Sequence, residues 1–422
     1  MNERNDRIAT AVEQLRDGMI DTLQRLVHIP SVTGDEAAVQ SAVEGLFHAR
    51  GLTVDRWEPT PDEVAPYYWH IGEEDELAGR PNVVGVRQGT GGGRSLLLNA
   101  HVDTVEPGDP ALWSVDPLGG EVLGGRLYGR GSCDMKGGLV TYLAALDVLD
   151  ELGIQLTGDV MVAATVGEEN GGVGALATIL RGYRADAVII TEPTRLALVP
   201  AQGGSLVARI TVPGKSAHGA VRDEGVSAFE KFIPIFLDLL DFERERNATL
   251  DHPLYRHLDN KVPISFGVIR AGNWASTVPE QLVAEGRIGM LPGEDVDAFR
   301  AQVVARVAAM AMQDAWLREH QPGLEWFGGQ FAPCQTPLEA SICQAVSAAH
   351  KAATGALPAI EGVPYGADMR LFSLIGGMDC VMYGAGDVRV AHHADEYIDL
   401  DELTTAVRMM THLLIDWCGV AA

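Results

Sequence analysis

The sequence predicts an α/β fold: a mixed, mostly parallel sheet flanked by helices, with a smaller α+β module inserted into it. Three observations lead there. Strand-like apolar runs alternate with helical patterns from about residue 52 to residue 195, the signature of βαβ units. Near Gly203-Gly204 the texture changes to half-buried strands and helices without ligand-type residues at strand ends, and it changes back after Thr336-Pro337. A length of 422 residues also exceeds what one hydrophobic core usually organises, so two domains are expected.

In order along the chain, residues 8–28 and 36–50 carry apolar positions at helical spacing, with Thr33-Gly34-Asp35 as a turn and cap between them. Val83–Val86, Ser95–Leu98, Val160–Thr165 and Ala187–Ile190 read as strands, and Gly138–Glu151 and Val173–Arg181 as crossover helices. Gly91-Gly92-Gly93 lacks the Gly-Lys-Ser/Thr of a phosphate loop and reads as a hairpin connection. In the module, Leu206–Val212, Ser265–Ile269 and Leu282–Ile288 are expected strands, and Val226–Phe242 and Asp295–Leu317 expected helices. A helix at Leu338–Thr354 and a strand at Cys380–Tyr383 resume the first texture. The expected boundaries are residues 1–203 and 333–422 for the α/β unit and 204–332 for the module.

A hydrophobic content of 46% with 21% charged residues is globular composition and excludes a disordered chain. The 58 acidic and 32 basic residues give a formal charge of −26, a surface that repels nucleic acid and anionic membranes. Five scattered cysteines with no C-x-x-C pair fit free thiols in a reducing compartment. The first seven residues carry both charge signs with no apolar core after them, and no run approaches the ~20 apolar residues of a membrane helix. A soluble cytoplasmic protein, with neither nucleic-acid nor membrane partners, is expected.

The chemistry lies in the segments that close these elements. His101-Val102-Asp103 follows one apolar run, Glu168-Glu169 another, Glu192 a third, and His392 comes after the Cys380–Tyr383 run; Asp134 closes a Gly-rich loop ahead of a helix. In a parallel sheet the carboxyl ends of the strands open on one crevice, where such residues can meet and hold a divalent metal. His101 and Asp103 share one face of an extended segment, as a metal-ligating histidine and its supporting carboxylate do; a surface histidine beside a turn aspartate is the alternative. Adjacent carboxylates at Glu168-Glu169 repel unless a cation is present, and they point apart, so one can ligate while the other acts as a base. A solvated acidic loop would explain them too, although Gly167, Gly171 and Gly172 signal a special backbone. Asp134 could cap a helix, Glu192 could sit in a turn, and His392 could be a loop histidine. What sets the reading is that all five fall at the ends of elements sharing one crevice.

Taken together, Leu-Asn-Ala-His-Val-Asp-Thr-Val (98–105), Tyr-Gly-Arg-Gly-Ser-Cys-Asp-Met-Lys-Gly-Gly (128–138), Gly-Glu-Glu-Asn-Gly-Gly (167–172), Thr-Glu-Pro-Thr (191–194) and Ala-His-His-Ala-Asp-Glu-Tyr (391–397) resemble the zinc aminoacylase and carboxypeptidase family. That family includes acetylornithine deacetylase, succinyl-diaminopimelate desuccinylase and glutamate carboxypeptidase. The match spans nearly the whole chain in order. The resemblance implies two zinc ions, with cobalt or manganese as substitutes. Asp134 would bridge them, His101 and Glu192 completing one site and Glu169 and His392 the other. It implies Asp103 as the support of His101, Glu168 as general base toward a metal-bridged hydroxide, and a cis peptide after Asp134. It also makes residues 204–332 a dimerisation or lid domain of a homodimer, with His218 in Gly214–Gly219 reaching the active site of the partner subunit. Arg370, in Tyr365–Arg370, would bind a substrate carboxylate or pair with Asp368. Asn273 and Ser276 would be lid contacts to substrate, Ser276 standing where many members have Asn. The activity implied is deacylation of an N-acyl amino acid or related small amide. A dipeptidase or carboxypeptidase of the same family is the alternative. A non-catalytic metal-binding dimer is a third reading, against which the intact Glu168 argues.

Overall fold

A computed structural model describes residues 3–73 and 76–422. Among them the main sheet has nine strands, and its centre is parallel. Val160–Thr165, Leu96–His101, Val188–Ile190 and Cys380–Met382 lie side by side in that order, all running the same way. Every residue of Leu96–His101 and Val160–Thr165 is buried, as expected of parallel strands covered on both faces. Each buried Leu or Val contributes roughly 1.5–3 kcal/mol relative to exposure, so the apolar runs of these strands drive their own burial. Asn82–Arg87 and then Thr53–Trp57 extend one side antiparallel. Leu198–Gln202 extends the other, paired with Cys334–Gln335 and Ile360–Val363.

Helices Glu3–Val27, Gly137–Glu151, Ser341–Thr354 and Leu400–Cys418 pack on one another around this sheet. Ala37–Ala49 and Val173–Leu180 sit on the strands at its Thr53–Trp57 side. After Gln202 the chain enters a four-stranded antiparallel sheet in the order Ile264–Ala271, Gln281–Met290, Gly204–Pro213, Gly323–Phe331. Gly204–Pro213 alternates buried and half-buried residues, one face toward helices Ala228–Thr249 and Val296–Ala311 and a separate apolar core. The chain rejoins the main sheet at Cys334.

Several local expectations differ from the structure. Gly91-Gly92-Gly93 does not close a hairpin: Asn82–Arg87 and Leu96–His101 are separated by Val160–Thr165, which pairs with both. The apolar run Val160–Thr165 is best buried between two strands, and no local turn signal reports that. Helix Ala37–Ala49 has Glu36 at its N-cap with no side-chain cap bond. That carboxylate is drawn instead into a buried ion pair with Arg80. The helix expected to reach Leu317 ends at Ala311, because the Asp314 carboxylate accepts the N–H groups of Trp316 and Leu317 and turns the chain. Leu198–Gln202, Gly323–Phe331 and Leu400–Cys418 lie outside the sequence expectations. Gly328-Gly329 and a register shift between Trp326 and Gln330 hide the second of these.

Candidate active site

The parallel strands bring their following residues to one edge. His101 ends its own strand, Glu168 and Glu169 lie just past Thr165, Glu192 just past Ile190, and His392 on the loop after Met382. Asp134 enters from the turn before helix Gly137–Glu151; its carboxylate faces the histidines and caps no helix, and the Asp134–Met135 peptide is cis. Asp134 is the centre. Its Oδ1 lies 3.0 Å from His101 Nε2 and its Oδ2 3.6 Å from His392 Nε2. His392 Nε2 lies 3.0 Å from Glu169 Oε2. One ligand atom from each of His101, Asp134 and Glu169 lies within 4.8 Å of the others. Glu192 and Glu168 are buried beside them and feel their charges.

His101 Nδ1 is 2.9 Å from the Asp103 backbone carbonyl and 3.6 Å from its carboxylate. A carbonyl only accepts, so Nδ1 carries a proton and Nε2 is the nitrogen turned to the cluster. The expected carboxylate support is thus supplied by the carbonyl of the same residue. The Asp103 carboxylate does other work: it accepts the N–H of Glu168 and of Glu169, each at 3.2 Å, and the Thr33 hydroxyl at 3.0 Å. Burial drives the Glu168 carboxyl well above its usual value; His101 opposes this, and Asp368, Glu192 and Glu169 add to it. Burial and then Asp134 push Glu192 up likewise. Burial raises Glu169 despite its hydrogen bond to His392, which is itself raised to about 9, first by that bond. Burial also disfavours a charged His101, but the Asp134 bond and three carboxylates outweigh it and hold it well above the histidine norm.

His101, Asp134 and Glu169 gathered together, with His392 against Asp134 and Glu169 and with Glu168 and Glu192 near enough to feel their charges, fit a divalent cation. Their oxygen and nitrogen donors suit zinc, cobalt or manganese, and a cation would relieve both the burial and the mutual repulsion that raise three of the carboxyls.

The residues expected on a lid lie apart from this cluster. His218 is exposed, and its ring accepts the Ala220 N–H at 3.1 Å while its backbone bridges to Thr277. Ser276 is exposed beside it, its carbonyl accepting from Gly219. Asn273 lines a cavity of about 540 Å³ with Ser216, Arg270 and Gln281. None of the three contacts the Asp134 cluster among the described residues. Arg370 is 1% exposed and donates to the carbonyls of Ala367 (2.7 Å) and Gly171 (2.6 Å). It makes no hydrogen bond to Asp368, although the two charges attract, and those carbonyls hold its guanidinium inside the protein.

Glu396 was missed as a site residue, although it stands beside His392 in the sequence. Its carboxylate accepts Cys133 N–H and Asp134 N–H on Oε1, and Gly131 N–H and Arg130 on Oε2, at 2.6–3.1 Å. It therefore fixes the turn that presents Asp134. The Ala-Asp-Glu-Tyr run after two histidines was the available signal.

A model described as Peptidase family M20/M25/M40 matches residues 97–416, the span that contains every residue of this cluster. The chain belongs to that family. It is accordingly a hydrolase of amide bonds from a metal-dependent group. This M20-family chain is 26% identical to an N-formyl-4-amino-5-aminomethyl-2-methylpyrimidine deformylase of Bacillus subtilis, over 99% of both chains. It is 30% identical to an acetylornithine deacetylase of Myxococcus xanthus, over 82% of this chain and 86% of the relative. In fold it is similar to a di-peptidase of Saccharomyces cerevisiae, with a TM-score of 0.78, 14% identity and 99% of each chain covered. No described helix is long and apolar enough to cross a membrane.

Proposed function

We propose that this protein is a dizinc amidohydrolase that removes the acyl group from an N-acyl amino acid or a related small amide. The observation that carries the reading is the central Asp134 carboxylate, one oxygen toward His101 and the other toward His392. His101, Asp134 and Glu192 would hold one metal; Asp134, Glu169 and His392 would hold the other. Bound there, the two cations supply Lewis acidity and acidify water. Glu168 is the group left over, buried beside the ligands and with its proton affinity raised. It takes a proton from the attacking water and passes it to the leaving nitrogen, a role worth typically about 10²–10⁴ in rate. Asp103 aims it by holding the backbone N–H groups of Glu168 and Glu169.

Deacylation is favoured over peptide cleavage by the relatives: the matches at 26% and 30% identity, over 99% and 82% of this chain, are named as a deformylase and a deacetylase. The module between Gly204 and Phe331 would pair two copies. Phe229, Ile233 and Leu237 are all exposed at one-turn spacing on its helix Ala228–Thr249, and Trp274 is 73% exposed. Pairing would bring the exposed His218 to the second copy's site.

The test is a panel of N-formyl, N-acetyl and N-succinyl amino acids and dipeptides, assayed with the zinc-loaded protein and its Glu168→Ala variant. The reading expects acyl release by the wild type only, with metal content equal in both. Turnover by metal-replete Glu168→Ala, or cleavage confined to dipeptides, overturns it.

A further inference from the structure

The loop bearing Glu168 and Glu169 is gripped at both ends. At its start, Asp103 holds the two backbone N–H groups. At its end stand Gly171 and Gly172, with φ of 152° and 83°. A Cβ on Gly171 would collide with the Ile71 carbonyl, and one on Gly172 with the Asp368 carboxylate. Into this junction comes Arg370, which donates to the carbonyls of Gly171 (2.6 Å), Ala367 (2.7 Å) and His70 (3.4 Å). Its guanidinium carbon lies over the ring of Phe331, 4.0 Å from the centroid. Phe331 is the last residue of Gly323–Phe331, just before the chain crosses from the inserted sheet back to the main one at Cys334. The same strand touches the loop directly, since a Cβ on Gly329 would come within 3.1 Å of the Asn170 carbonyl.

We propose that Arg370 is a positioning residue, a strut through which the placement of the inserted module sets the conformation of the Glu168–Glu169 loop. The inference rests on the reading of Glu168 as base. A planar fork with two terminal nitrogens can hold three carbonyls from separate segments while stacking on an aromatic ring; an ammonium supplies neither the fork nor the stack. A shift of Phe331 as the module moves is passed by the guanidinium to Gly171, two residues from Glu169. The residue thereby acts through the loop and touches no reacting atom.

The test uses Arg370→Lys and the milder Phe331→Leu, which removes the stacked ring and leaves the hydrogen bonds. Hydrogen exchange of peptides covering residues 167–172 is followed in the chelated protein, zinc affinity is measured by chelator competition, and kcat and KM are compared for an N-acyl amino acid and its carboxamide counterpart. The strut expects faster exchange in that loop for both variants. It also expects a loss of about 10-fold or more in kcat or zinc affinity for Arg370→Lys, equal on both substrates. A rise in KM confined to the carboxylate-bearing substrate, with exchange unchanged, would mean that Arg370 binds substrate and would overturn the proposal. Unchanged exchange with unchanged kcat overturns it as well. Because exchange is read without turnover, failure of Glu168 as base would show separately, as activity retained in Glu168→Ala.

Discussion

Replacing Glu396 by Gln tests whether the Asp134 turn is held from the far end of the chain. Oε1 accepts two backbone N–H groups, and Oε2 accepts another together with Arg130 at 2.6 Å. Whichever oxygen becomes an amide NH₂, two donors then face a donor. Both members of the ion pair are buried, with side-chain exposures of 3% and 1%. Two lost bonds to a charged group, at about 1.5–3 kcal/mol each, give a loss of roughly 3–6 kcal/mol. Breaking a buried pair from one side gives about 3–5 kcal/mol by a separate route. The agreement sets the expectation at about 4 kcal/mol, read as the urea midpoint shift multiplied by the unfolding slope. Because Asp134 loses its backbone anchor, zinc affinity falls by about 10–100-fold in a competition with a chromophoric chelator. Adding Arg130→Met recovers part of the stability, since it removes the stranded charge, but leaves the metal affinity low. A loss below about 1 kcal/mol with unchanged zinc affinity would refute the account of the turn.

Asp103→Asn keeps one acceptor for two backbone N–H groups, so kcat falls about 10–100-fold while circular dichroism stays unchanged; full activity would show that the loop needs no such anchor. Chelation leaves the buried carboxylates facing one another, and the melting temperature drops; restoring zinc to 1,000 times its dissociation constant returns about 4 kcal/mol, seen as a concentration-dependent melting point. His412 is buried away from the cluster, and burial, with Arg4 next, lowers its pKa from 6.5 to about 4. Between these values the unfolded chain binds a proton that the folded chain does not, so stability falls as the pH drops from 6.5 toward 4. His412→Leu removes that part of the slope, and an unchanged slope in urea titrations at several pH values would count against it.

That His101, Glu168, Glu169 and Glu192 would meet at one edge was legible in the sequence for a local reason. Each of His101, Glu168, Glu169 and Glu192 stands at or just past the end of a buried apolar run, and parallel strands deliver their carboxyl ends to one edge. The inserted module was legible from its half-buried strands, whose alternation marks a sheet with one covered face. Tertiary structure alone decided the rest. The strand between Asn82–Arg87 and Leu96–His101, the carbonyl that orients His101, and the inward turn of Arg370 depend on which surfaces meet, and meeting surfaces leave no periodic trace in the chain. Glu396 makes the point most sharply: the run around it marks it out, but that it holds Asp134 from 262 residues away is set by packing geometry.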